Sequence, residues 1–100
     1  MIVVRFKVRC QSGKTDPVIA AFKEVIAVSR KLKGVMSFDI GRDLADSDSF
    51  IATEVFEDKA ALERQEATDE VQRTVALLGS VVAEPPEATI YNVSSSQPWG

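Results

Sequence analysis

Phe50-Ile51-Ala52-Thr53-Glu54-Val55-Phe56-Glu57-Asp58-Lys59-Ala60-Ala61-Leu62-Glu63 reads as a strand that turns directly into a helix. Alternation places Phe50, Ala52, Glu54 and Phe56 on one face of the strand and Ile51, Thr53, Val55 and Glu57 on the other. Both faces carry apolar residues, so both need cover. Asp58 is placed to accept from the free N–H groups of a helix that Ala60-Ala61-Leu62 then propagates. In a chain of 100 residues, a strand covered on both sides implies helices on one side and a second subunit on the other. Glu54 is the exception on its face. A carboxylate among large apolar neighbours either has a charged partner or belongs to a site.

Working outward, residues 2–10 alternate as a strand, with Val4, Phe6, Val8 and Cys10 on one side and Arg5, Lys7 and Arg9 on the other. Asp16-Pro17 predicts a helix start, because Asp accepts from free N–H groups and Pro suits the first helical position. Val18, Phe22, Val25, Ile26, Ser29 and Leu32 then recur on one helical face. Arg30, Lys31 and Lys33 suit the negative end of that helix, and Gly34 the left-handed cap. Residues 35–42 read as the second strand, with Met36, Phe38 and Ile40 facing together. A longish polar loop over 44–48 joins it to the third strand at 49–57. A short helix follows at 59–66, and Thr68-Asp69 restarts one with Val71, Val75 and Leu78 in phase and Gly79 as a stop. Pro85-Pro86 bars helix, residues 87–93 form the last strand, and residues 94–100 are a polar tail carrying Trp99.

The order is strand, helix, strand, strand, helix, strand. This is an α+β, ferredoxin-like βαββαβ plan: a four-stranded antiparallel sheet with helices on one face. Two such sheets packed face to face make a dimeric α+β barrel, so the expected assembly is a homodimer through the open sheet face. Residues 1–93 form the domain, and the tail is flexible or lies against a partner.

Composition narrows the chemistry. Twelve basic against 15 acidic residues give a net charge of −3, which argues against nucleic acid as a partner. Cys10, the one cysteine, permits no internal disulfide and ends an apolar alternation, so it reads as a small buried residue. No apolar run approaches the roughly 20 residues of a membrane helix, and no leader pattern opens the chain; a cytoplasmic protein is expected. There is no histidine. That removes the usual general base near neutral pH and the commonest metal and haem ligand. The acidic connector Asp43 to Asp48 lacks the ligand spacing of a calcium loop, so no metal and no cofactor is expected.

With these elements in place, the chain resembles the antibiotic biosynthesis monooxygenase (ABM) domain family of the dimeric α+β barrel superfamily. The resemblance is carried by Met1-Ile2-Val3-Val4, Gly13-Lys14, Ser29-Arg30, Gly34-Val35-Met36-Ser37-Phe38-Asp39-Ile40, Arg42-Asp43 and Asp46 to Phe50. It continues through Glu54-Val55-Phe56-Glu57-Asp58, Ala60-Ala61-Leu62-Glu63 and Glu84-Pro85-Pro86-Glu87, and so spans about residues 1–93. It implies an oxidoreductase that oxidises a small aromatic, quinol-like or polyketide-derived substrate with O2 and no cofactor. In such enzymes an electron-rich substrate anion reduces O2 itself, and the protein supplies an apolar pocket and removes a proton. Relatives often carry histidine where this chain has Gln65 and Glu70, a Trp where it has Phe56, and, in the haem-degrading branch, an Asn in the region of Arg5-Phe6-Lys7. Haem is therefore not expected, and a histidine base is absent. The alternative is a non-catalytic dimeric barrel that binds a ligand or regulates a partner.

Two readings stand for each candidate residue. Glu54 either lines the pocket as a desolvated base or pairs with Arg42 or another cation across the hairpin. Gln65 either hydrogen-bonds a substrate oxygen or is a surface helix residue. Phe22, Met36, Phe38 and Phe56 either wall a pocket or fill the core. Tyr91, on the face opposite Ile90 and Asn92, either donates to a substrate oxygen or fills the dimer interface, and Asn92 either anchors a ligand or ends a strand. An apolar cavity with Glu54 unpaired favours the enzyme, and a closed core beside Glu54 favours the binding module.

Overall fold

The alternating segments become a single sheet in a computed structural model that describes all 100 residues. The elements run β1 (Ile2–Arg9), α1 (Thr15–Ser29), β2 (Val35–Asp43), β3 (Asp46–Phe56), α2 (Lys59–Glu66), α3 (Asp69–Val81) and β4 (Glu87–Asn92). The strands lie in the order β2-β3-β1-β4, and every neighbouring pair is antiparallel. This is the expected α+β, ferredoxin-like architecture, with the second helical region split into two helices.

Register decides which residues face the helices. Val4 and Phe38 lie opposite Glu54 on either side of β3, and Phe6 and Ile40 lie opposite Ala52. This face meets the helices in two hydrophobic clusters. One joins Ile2, Val4, Phe38 and Phe56 to Val25 of α1 and to Ala61 and Leu62 of α2. The other joins Val8, Cys10 and Phe50 to Val18 and Phe22 of α1 and to Leu78 and Val81 of α3. Cys10 is buried as expected, and burial pushes its thiol pKa up. The opposite sheet face has no helix over it; Val3, Ile51 and Val55 are partly buried there, and Thr53, Thr89 and Tyr91 are exposed.

The approach of α2 to the sheet is set by one backbone position. Gly34 has φ +87°, which favours glycine, and a Cβ there would stand 2.6 Å from the Cβ of Ala61. The Gly34 carbonyl also accepts from the Glu57 N–H at 2.8 Å, just before Asp58 caps α2 by accepting from the Ala61 N–H at 2.9 Å. Thr68 ties α2 to α3: its hydroxyl donates to the Gln65 carbonyl at 2.9 Å and accepts from the Val71 N–H.

Several local expectations are corrected. α1 begins at Thr15 with Asp16 inside its first turn, and it ends at Ser29, so Gly34 turns the chain beyond the helix instead of capping it. The hairpin loop is short, because Asp43 already pairs with Asp46 and the Asp43 carboxylate accepts from the Ala45 N–H at 2.8 Å. α3 runs through Gly79 to Val81, and its inward residues are Thr74, Leu78 and Val81, while Val75 is 62% exposed. The alternating cations of β1 need no correction: a solvated or salt-bridged face is what Arg5, Lys7 and Arg9 suggest, and Lys7 pairs with Asp43 at 3.5 Å and Arg9 with Glu84 at 2.9 Å.

Candidate active site

Where the two hydrophobic clusters meet, the space between sheet and helices stays open as a cavity of about 270 Å³. Val4, Phe38, Ala52 and Glu54 supply part of its sheet wall, Phe22 and Val25 come from α1, and Leu62, Gln65 and Glu66 come from α2. Val71, Thr74, Val75 and Leu78 of α3, Ala88 and Ile90 of β4, and Phe6 and Ile40 of the sheet complete it. The exposed members of this lining are Glu66, Val75, Ala88 and Ile90, so the mouth lies at the β4 side of the sheet.

Glu54 sits inside this apolar wall because β3 alternates. Ala52 and Phe56 flank it along the strand, and Val4 and Phe38 flank it across the sheet. It makes no ion pair and no side-chain hydrogen bond. Burial, and after it the negative charge of Glu66, pushes its pKa up to about 7. The pairing with Arg42 is not formed. Arg42 lies opposite Phe50 in the hairpin, with its guanidinium 5.2 Å from the centre of that ring. In a chain without histidine, Glu54 is thus a side chain that changes charge near neutral pH.

Gln65 is a buried residue of α2, 4% exposed, and not a surface one. Its Nε2 donates to the Oγ of fully buried Ser29 on α1 at 3.1 Å, and no protein group donates to its Oε1. No side-chain N or O that is fully shut away from solvent lacks a partner, so Oε1 keeps contact with solvent, and Gln65 lines the cavity. The cavity therefore carries a titrating carboxyl on its sheet side and, on its helix side, an amide held through its nitrogen by Ser29, among apolar walls. No group of three or more His, Cys, Asp or Glu side chains is placed to hold a metal.

The other sequence candidates separate. Phe22 and Phe38 line the cavity. Phe56 is wholly buried in the first cluster and does not reach the cavity. Met36 does not share a face with Phe38: the strand bulges between Val35 and Ser37, and Met36 is left 58% exposed. Tyr91 pairs with Val3 on the open sheet face, away from the cavity, and Asn92 is exposed at the end of β4 opposite Ile2. Glu70, the second position where relatives carry histidine, does not line the cavity, whereas Glu66 does. Glu66, Ser29 and Thr74 were not singled out from the sequence as site residues. The signal for Glu66 was its spacing from Leu62, four residues on along α2.

A ferredoxin-like sheet backed by helices, here over an apolar, acid-bearing cavity, defines a class of α+β proteins. Comparison places this chain more closely: the family model for antibiotic biosynthesis monooxygenase matches residues 1–77, and the chain belongs to that family. Its fold is similar to that of an antibiotic biosynthesis monooxygenase of known crystal structure, at 21% identity, TM-score 0.87, and coverage of 95% of this chain and 100% of that one. It is also similar to Rv0793 from Mycobacterium tuberculosis, at 14% identity, TM-score 0.88, and coverage of 97% and 98%. At such identities the likeness speaks for the fold alone. The uncharacterized protein sll1783 of Synechocystis is 28% identical over 96 residues. Those residues make up 96% of this chain, which spans 65% of the length of that relative.

Proposed function

We propose that the chain is a cofactor-independent monooxygenase that oxidises a small, weakly acidic aromatic of quinol or polyketide type with O2, using Glu54 as general base. The observation that carries this reading is Glu54 itself, a carboxyl with pKa near 7 and no partner, inside an apolar cavity of about 270 Å³. A base poised near the working pH is the arrangement that favours proton abstraction.

For a substrate of the anthrone type, the proposed sequence starts with a ring bearing an acidic CH2 between Phe22, Phe38 and Leu62. The Gln65 Oε1, held by Ser29, accepts from a ring hydroxyl. Glu54 removes one proton from the CH2 carbon. The substrate anion passes one electron to O2, and the resulting radical and superoxide join as a C–O bond. The peroxide takes the proton back from Glu54, then loses its remaining C–H proton and its outer oxygen as water. One O2 is consumed, a CH2 becomes C=O, and one water leaves. Apolar walls support this by excluding water from the anion.

The reading includes a homodimer joined through the open sheet face, supported by Val3, Ile51, Val55 and Tyr91 on a surface that no helix covers. A cavity beside an unpaired Glu54 also favours an enzyme over a non-catalytic barrel. The test is O2 uptake with a panel of anthrones and hydroquinones. Turnover should rise with pH through about 7, following the Glu54 carboxyl, and Glu54→Gln should lower it on the order of 100-fold or more. Absence of turnover with every member of the panel would overturn the proposal. A monomer in sedimentation at micromolar concentration would overturn the dimer.

A further inference from the structure

A second apolar recess, of about 290 Å³, opens on the far side of Phe22, between α1 and the edge strand β2. Phe22 and Ile40 line both recesses and form the wall between them. Ile26 and Phe50 complete the apolar floor of the second one. The rings of Phe22 and Phe50 meet edge to face there, 5.4 Å apart at 76°.

Its rim carries two cations, Lys23 of α1 and Arg42 of β2. Neither forms an ion pair. Neither donates a side-chain hydrogen bond. Acids close to them in sequence are committed elsewhere: Asp39 to Arg30, Asp43 to Lys7 and Glu24 to Arg73. In a chain of net charge −3, two unneutralised cations thus share one greasy recess.

We infer that this recess is a second binding site, for a small planar aromatic carboxylate. The charge pattern selects the class. A bare inorganic anion would leave the apolar floor empty, and a neutral arene would leave both cations without a counterion. The Arg42 guanidinium lies over Phe50, 5.2 Å from the ring centre, and its N–H groups have no protein partner; a guanidinium so placed can grip a carboxylate with two parallel hydrogen bonds. Lys23 adds a point charge on a flexible stem. The volume lies at the small end for ligand pockets, so the ligand is smaller than a typical drug. This site does not depend on the oxidation chemistry proposed for Glu54.

The test is a methyl NMR titration of the full chain with naphthalene-2-carboxylate, and in parallel with the neutral naphthalene-2-carboxamide. Ile19 and Ile26 line only the second recess, and Val71 and Leu62 only the first, so their methyl groups tell the two apart. The carboxylate should shift Ile19 and Ile26 saturably, and the carboxamide should bind at least about tenfold more weakly. Arg42→Gln, an exposed position, should weaken the carboxylate about tenfold or more, and Lys23→Gln by a smaller factor. Glu54→Gln should leave this binding unchanged whatever it does to oxygen uptake. Equal affinity for carboxylate and carboxamide, no loss in Arg42→Gln, or shifts confined to Val71 and Leu62 would overturn the inference.

Discussion

Replacing Glu54 with Gln should change how stability depends on pH, and the structure sets both the sign and the size. The carboxyl titrates near 7 when folded, against 4.5 when free. Below about pH 4.5 both states hold the proton and nothing is lost. Between the two values the folded chain holds a proton that the unfolded chain has released, so stability falls as pH rises, by about 1.36 kcal/mol per pH unit. Above about 7 both states are ionised, and the full difference of about 3 kcal/mol has been given up. Glu54→Gln removes this dependence while keeping the shape of the side chain. Its stability relative to the parent should therefore climb by about 3 kcal/mol between pH 4.5 and pH 8.5. Urea unfolding of both proteins at fixed concentration, repeated at half-unit pH intervals, measures the difference directly; fixing the concentration holds any association constant. Parallel profiles, with the gap constant across that range, would refute the claim that Glu54 is desolvated and unpartnered.

Three further perturbations test the frame around the cavity. Gly34→Ala forces a left-handed Cβ to 2.6 Å from Ala61, and should cost about 2–4 kcal/mol in urea unfolding. Asp58→Ala removes the cap of α2, the helix that carries Gln65, and should cost about 1 kcal/mol by the same measurement. Val75→Trp places bulk at the mouth of the cavity from a position 62% exposed, so thermal melting should shift stability by no more than about 0.5 kcal/mol while turnover in the O2 assay falls sharply.

Alternation and turn chemistry carried most of the fold into view. Residues 50–56 announced a strand by period, Asp58 and Thr68 announced helix starts by their side-chain oxygens, and Pro85-Pro86 marked where helix had to end. Period fails where the backbone slips. The bulge after Val35 turns Met36 outward, and no residue type at that position signals it. Glycine misled twice, because its meaning is conformational. Gly79 stays helical in α3, while Gly34 is needed for a close approach that only the packed structure reveals. Glu54 was conspicuous because a carboxylate broke an apolar pattern, but whether it was paired depended on where Arg42 went, and a cation–π contact is invisible to spacing. The role of Ser29 in fixing Gln65 joins residues 36 positions apart, a distance no local pattern spans.

The cavity lies on a seam, and that has a consequence for how such a protein diversifies. Its walls draw on residues from both hydrophobic clusters, yet the most deeply enclosed side chains, Phe56, Val8 and Val18, contribute nothing to it. Substitutions at the half-buried Val71 or the exposed Ile90 can resize the chamber without touching either anchor. Selection on what the chamber accepts is thereby decoupled from selection on whether the chain folds. Such a scaffold can change the shape of its cavity at low risk to folding, as expected where one architecture serves many chemistries.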